Sequence, residues 1–288
     1  MVMDQSTIAG PPQTTVGDVM EVVAATMAQE QGRLNGLSSF GGNGTHGDRM
    51  ARAFQDVAYA TLGSGTGDVG ADLQLAGEVL DNPGYGTAAR YLGQGLFQGG
   101  ATLVGRSTWS LADLGPVLAA LAQGAQADSA VQPGDGTLLD VLIPASLAYN
   151  GAVDQGLTYG QAIQGCLGAA MAGVRNTAQM PQAHNPNLKP GQARQPDPGA
   201  AATQAFLTGL LKGLLGVKLP PLPAGQNSSN FLLNLLQQGI DLGGGVTRPP
   251  QQKDVESLLG NTIQTGRYNA RLEDRSPDYG KGSAGGER

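Results

Sequence analysis

Apolar residues in this chain recur at three- and four-residue intervals and almost never alternate, so the pattern predicts helices rather than strands. Eight segments carry that spacing. The first opens at Thr15 with Asp18 as its capping-box partner, and places Val16, Val19, Val23 and Met27 on one face opposite Asp18, Glu21 and Gln29. A second follows a glycine-rich loop and stacks Met50, Phe54, Val57 and Leu62. The third stacks Val69, Leu73, Ala76 and Leu80 before the breaker Asn82-Pro83-Gly84. The fourth runs from about Thr87 to Val104 and is rich in glycine. The fifth starts at Ser110 with Asp113 and aligns Leu114, Leu118 and Leu121, with Pro116 tolerated in its early turns. The sixth starts at Thr137 with Asp140 and is expected to break or kink near Pro144. The seventh, from Thr158 with Gln161, carries Ile163, Cys166, Leu167, Met171 and Val174. The eighth opens at Asp197-Pro198, with proline at the first helical position, and carries Phe206, Leu210 and Leu214.

Most connections are short, which favours antiparallel neighbours and an all-α, up-and-down assembly. The exception is Met180 to Gln195, rich in Pro, Asn and Gln, which reads as a long functional or mobile loop. Beyond Leu215 the pattern changes. Residues 218–225 read as extended polyproline-like backbone, two short amphipathic segments carry Phe231, Leu232, Leu235, Leu236 and then Val255, Leu258, Leu259, Ile263, and the last stretch has a disordered composition. The expected division is therefore an N-terminal arm (1–14), a helical domain (15–215) and a C-terminal extension (216–288).

Composition narrows the function. Glycine, at 46 of 288 residues, is about twice its usual share and falls inside the apolar segments as well as between them. Close helix-to-helix approach is the expected compensation for its poor helix propensity. A net charge of −6 without a Lys/Arg cluster argues against nucleic acid. The single cysteine, Cys166, excludes an intrachain disulfide and reads as a small core residue. No apolar run approaches membrane-span length, and the first residues lack a secretory pattern, so a cytoplasmic protein is the expectation. No G-x-x-x-x-G-K-[ST] loop, G-x-S-x-G elbow or H-E-x-x-H helix occurs, and His46 and His184 are the only histidines.

The most informative stretch is Leu34 to Phe54, LNGLSSFGGNGTHGDRMARAF. It resembles the loop of the DhaL/DAK2 family, the nucleotide-binding part of dihydroxyacetone kinases, where the pattern is of the type L-D-x-x-x-G-D-G-D-H-G-x-N-M. Gly42, Gly44, His46, Gly47 and Met50 keep that frame. Ser38, Asn43 and Thr45 fall where the family has its three aspartates. Three further pieces resemble the family. GGAT at Gly99–Thr102 is similar to its G-G-A-S. PGDGTLLDVLIPA at Pro133–Ala145 is similar to its P-G-D-K-T-M-L-D-x-L-I-P-A, with Gly136 in place of the lysine. PDPGA at Pro196–Ala200 is similar to its D-P-G-A.

The resemblance implies an eight-helix antiparallel barrel with a nucleotide held at one end by interhelix loops. It nominates His46, Gly99, Ala101, Thr102, Gly134, Asp135, Asp197 and Gly199 as the nucleotide-facing remnant, and His184, Lys189 and Arg194 as phosphate candidates in the long loop. Each has a structural reading too: Asp135 and Asp197 as caps, Thr137 as an N-cap, His46 as a loop-shaping hydrogen bonder. Magnesium requires oxygen ligands anchored by carboxylates, and phosphoryl transfer leans on that metal for charge neutralisation. Ser38, Asn43 and Thr45 offer only neutral oxygens. The expectation is a catalytically degenerate structural or regulatory subunit without metal or cofactor, which binds a protein partner or a second copy through its C-terminal extension. Two alternatives stand beside it. One is a phosphotransferase subunit using ADP or ATP with Mg²⁺ at a rearranged site, with Asp48 as a displaced ligand, acting on a small hydroxyketone bound by a separate partner. The other is a metal-independent nucleotide sensor.

Overall fold

The computed structural model describes residues 14–127, 131–180 and 195–216. Eight α-helices are present among them: α1 (Val16–Ser39), α2 (His46–Gly63), α3 (Val69–Leu80), α4 (Thr87–Ala101), α5 (Leu114–Gln126), α6 (Leu139–Asp154), α7 (Tyr159–Thr177) and α8 (Pro198–Leu214). Each helix packs on the next in sequence, and α8 packs on both α7 and α1, closing the ring into an antiparallel barrel. All of its residues from Gly199 to Leu214 are buried, as expected of a helix with no polar face. It also touches α2, α4 and α6. Phe54 of α2 and Phe206 of α8 stack with centroids 5.3 Å apart.

Local chemistry explains where the helices start. The Thr15–Asp18 and Thr158–Gln161 capping boxes form as the sequence predicts. Ser110 and Asp113 cap a single 3-10 turn, Leu111–Asp113, which leads into α5. At α6 the helix starts two residues later than expected, and Asp140 turns back to accept the Gly134 and Thr137 backbone N–H groups at 2.7 and 2.8 Å.

Several expectations need correction. Pro144 does not break α6, which continues through it. A proline there cannot bond the Asp140 carbonyl four residues back, and that carbonyl is instead covered by α7, where a Cβ added to Gly173 would lie 2.2 Å from it. Leu62 is not a core residue. Thr61 takes the inward position, 4% exposed against 54% for Leu62, and Leu62 lies against Gly17. α4 ends at Ala101 rather than Val104, because the chain turns through Gly105 (φ +87°), whose N–H reaches the Asp68 carboxylate at 2.6 Å. Thr14, assigned to the arm, exchanges backbone hydrogen bonds with Trp109 (2.8 and 3.1 Å) and is tied to the barrel. Cys166 is fully buried, which pushes its thiol up to about 12. Residues 217–288, which hold nearly all of the predicted extension, lie outside the described residues.

The glycines carry the helix contacts. Gly77 of α3 and Gly93 of α4 meet backbone to backbone, as do Gly70 with Gly100 and Gly95 with Gly124. Gly209 and Gly213 of α8 sit on Val23 and Val19 of α1. Added Cβ atoms at Gly77 and Gly93 would fall 2.6 and 2.7 Å from the facing carbonyl oxygens, a clash that rigid backbone cannot relieve. Lys212 of α8 is also buried, at 2% exposure. Burial lowers its pKa to about 8, with Glu30 pulling in the opposite direction.

Two predictions follow from this packing. Gly77→Ala or Gly173→Ala is expected to cost about 1–3 kcal/mol through overpacking. Gly32→Ala and Gly168→Ala, where an added Cβ meets nothing within 4 Å, are expected to gain up to about 1 kcal/mol of helix propensity. Urea denaturation of the four variants reads the contrast. Because the folded pKa of Lys212 lies below the ordinary 10.5, the unfolded chain holds the proton more tightly. Stability therefore rises as pH climbs from about 8 toward 10.5. Lys212→Met should flatten that rise and raise the melting temperature at neutral pH by about 2–4 °C, the shift expected for roughly 1 kcal/mol in a domain of this size; a lower melting temperature would contradict it.

Candidate functional site

Antiparallel packing brings the starts of α2, α4, α6 and α8 to one end of the barrel, and contacts link those of α2, α4 and α8. The backbone N–H of Asp197 donates to Thr177 Oγ1 at the end of α7 (2.9 Å), and its carboxylate caps α8 by accepting from the Ala200 N–H (2.7 Å). The neighbouring Pro198 carbonyl accepts a hydrogen bond from the His46 ring at the start of α2. Gly199 sits by Ala88 of α4, and Gly86, which precedes α4 with φ +91°, sits against the Arg49 guanidinium: a Cβ there would be 3.5 Å from Nη1.

The α1–α2 loop keeps its neutral oxygens to itself. Ser38 Oγ donates to the Asn35 carbonyl (3.1 Å) and accepts from the His46 N–H (3.3 Å). Asn43 Oδ1 accepts from both the Thr45 N–H (3.2 Å) and the Thr45 hydroxyl (2.7 Å). Short polar side chains that bond nearby backbone in this way stabilise a turn. The frame glycines have packing reasons as well. A Cβ at Gly47 would lie 2.1 Å from the Gln31 carbonyl, and Gly44 adopts φ +71°.

Asp48, the sequence's candidate for a displaced ligand, has its carboxylate on α1. Its carboxylate accepts from Gln31 Nε2 and Asn35 Nδ2, both at 2.7 Å, and those amides hold its pKa below the usual value. It lines an outer groove of about 550 Å³ between α1 and α2, together with Ala24, Ala28, Arg52 and Asp56.

The oxygens at Ser38, Asn43 and Thr45 are neutral and each takes part in a hydrogen bond, and no group of three or more His, Cys, Asp or Glu side chains among the described residues is arranged to hold a metal.

His46 is half-buried, and its pKa falls to about 4, first through desolvation and then through the charge of Arg49, against the opposing hydrogen bond to Pro198. Its Nε2 is buried without a hydrogen-bond partner, as is the Nε of Arg49. Sequence reasoning missed Arg49. Its only signal was a basic residue three positions after the histidine, and its setting depends on Gly86, brought close by the fold.

Of the other nominated residues, Asp197 and Gly199 are at this end. Gly134 and Asp135 precede α6, where the Gly134 N–H is taken by Asp140 and the Asp135 carboxylate accepts from the Gln132 N–H at 2.9 Å. Burial raises the Asp140 pKa despite the backbone donors around it. Gly99, Ala101 and Thr102 are elsewhere. They form the C-terminal end of α4, roughly 20 Å along the helix axis from its start, where Gly100 packs on Gly70. The segment that reaches the His46 end is Asn82–Gly86, joining α3 to α4 through the 3-10 turn Pro83–Tyr85. His184, Lys189 and Arg194 lie outside the described residues.

The chain matches the family described as the DAK2 domain over residues 42–212. No curated protein matches it. Among solved structures it resembles the native dihydroxyacetone kinase of C. freundii, with a TM-score of 0.50 and 20% identity over 74% of this chain and 37% of that one. The same enzyme in complex with AMP-PNP and Mg²⁺ gives a TM-score of 0.50 and 22% identity over the same shares. These likenesses establish a shared fold, and the chain spans about 37% of the length of the kinase it matches.

Proposed function

The chain belongs to the DAK2 domain family, and on that premise we propose that it is a DAK2 domain without phosphotransferase chemistry, serving as a structural or regulatory subunit of a larger assembly. The observation that carries the proposal is the state of the α1–α2 loop. The C. freundii kinase has been solved with AMP-PNP and Mg²⁺. In this chain the residues that resemble the family's metal-binding positions are Ser38, Asn43 and Thr45, and their hydrogen bonds stay within the loop and its flanking helices. Metal ions that bridge the phosphates supply most of the charge neutralisation in phosphoryl transfer. A loop of neutral, engaged oxygens does not anchor them. The partner is a protein, either a second copy or a different chain, contacted through residues 216–288. Their apolar repeats, from Phe231 to Leu236 and from Val255 to Ile263, motivate that assignment.

Calorimetry with ATP in the presence and absence of Mg²⁺ tests the first part. Magnesium-dependent binding in the micromolar range would count decisively for the kinase reading. Replacing Ser38, Asn43 and Thr45 together by Asp should increase affinity for the magnesium nucleotide; no gain would show that the loop does not correspond position by position to a metal site. For the partner, a chain ending at Gly216 should keep its helical circular dichroism but lose assembly on size-exclusion chromatography. An unchanged elution volume rejects that role for the extension.

A further inference from the structure

We propose that the outer face formed by α1 and α2 docks on the same face of a second copy of this chain, with Tyr59 of each copy seated in the alanine-lined groove of the other. This contact is separate from the one assigned to residues 216–288 and does not depend on it.

The face is built by the register of two antiparallel helices. Leu62 of α2 lies against Gly17 of α1 at one end, and Gly47 meets the Gln31 carbonyl at the other. Between these points Ala24, Ala25 and Ala28 of α1 and Ala51 of α2 line the outer groove, whose volume is about 550 Å³, and Asp48, Arg52 and Asp56 stand along its α2 side. Alanines keep both helix surfaces low, so the hollow is open to whatever side chain fits it. Further along α2 stands Tyr59, 84% exposed, with Leu62 exposed beyond it. A large aromatic ring left in water next to an unfilled apolar hollow is the pairing from which interface anchors are made.

Shape and charge both select a second copy as the occupant. Tyr59 lies eight residues, about 12 Å, along α2 from Ala51. A two-fold axis across α2 at Gln55 therefore sets each Tyr59 level with the partner's Ala51, so that one face supplies both knob and hollow. The charges obey the same operation. Asp48, Arg52 and Asp56 alternate in sign at four-residue intervals. Turned end for end about Gln55, the row brings Arg52 beside the partner's Asp56 and the partner's Tyr59, an ion pair and a cation–π contact together. Arg52 is able to turn outward, because its ion pair with Asp56 of its own chain is exposed and long, at 3.9 Å. Asp56 is held in place by the Tyr85 hydroxyl, which donates to it. A partner of uniform charge would match one sign of this row and oppose the other.

The footprint is small, two helices abreast over about 21 Å from Asp48 to Leu62. Such a contact is reversible and of micromolar strength, so it dissociates on a size-exclusion column and is read at higher concentration.

The test follows the mass of the full chain by sedimentation velocity at rising concentration. The mass should increase, and Tyr59→Lys or Ala28→Arg should weaken that association by about tenfold or more, the loss expected of an interface anchor. Arg52→Glu should weaken it only a few-fold, as expected of an exposed pair. All three positions are exposed, so circular dichroism should be unchanged. Gln55→Cys should be joined to a second copy by a short bifunctional thiol reagent, because the axis brings this position against itself, whereas Leu147→Cys on α6 should not. The native Cys166 is buried and does not compete. A mass independent of concentration, or an association that Tyr59→Lys and Ala28→Arg both leave intact, overturns the inference. In that event a Gln55→Cys thiol protected from a maleimide gives the groove to the chain's own extension, and a freely reactive one leaves it to a different protein. None of these outcomes bears on the metal-free reading of the α1–α2 loop, which calorimetry decides.

Discussion

Direct contact between helix backbones is the constraint on which this barrel depends. Wherever α3 meets α4, α4 meets α5, or α8 meets α1, a glycine removes the side chain that would hold the axes apart. Each interior glycine weakens its own helix by about 1 kcal/mol relative to alanine, and the close packing it permits offsets that loss. The consequence reaches the functional end. Gly47 repeats the device there: an added Cβ would lie 2.1 Å from the Gln31 carbonyl, so its absence lets the start of α2 close on α1.

Much of the fold was legible because its signals are local. A capping box such as Thr15–Asp18 or Thr158–Gln161 involves residues three apart, and an apolar stripe at helical spacing needs no knowledge of its neighbour. The features that were not legible depend on distant partners. Pro144 looks like a breaker until Gly173 is seen covering the carbonyl it leaves free. GGAT at Gly99–Thr102 looks like a ligand loop until α4 is seen to run on to Ala101, with Gly100 taken up by Gly70. Four small residues in a glycine-rich chain are weak evidence of register, and the helix count decided where they fell.

The candidate site divides in the same way. That Ser38, Asn43 and Thr45 present neutral oxygens was readable from residue type alone. That those oxygens are engaged within the loop and its flanking helices, and that Asp48 is turned outward into the amides of α1, required geometry. Gly47 and Gly44 are bound to backbone approach and to a positive φ. Their presence preserves the shape of the loop whatever chemistry it carries, which is why a resemblance in the frame says more about shape than about ligand.

The complete burial of α8 has a consequence for how the chain is made. Synthesis runs from the N-terminus, and α8 is the last of the described helices to leave the ribosome. Until it does, α1 lacks the surface on which Val19 and Val23 close, and Phe54 lacks the ring it stacks against. Seven helices must therefore wait with apolar faces unsatisfied for the eighth, a contact spanning nearly the whole domain and hence slow to form. For this barrel, the interval between emergence and closure is the period of greatest exposure to aggregation and to the attention of chaperones.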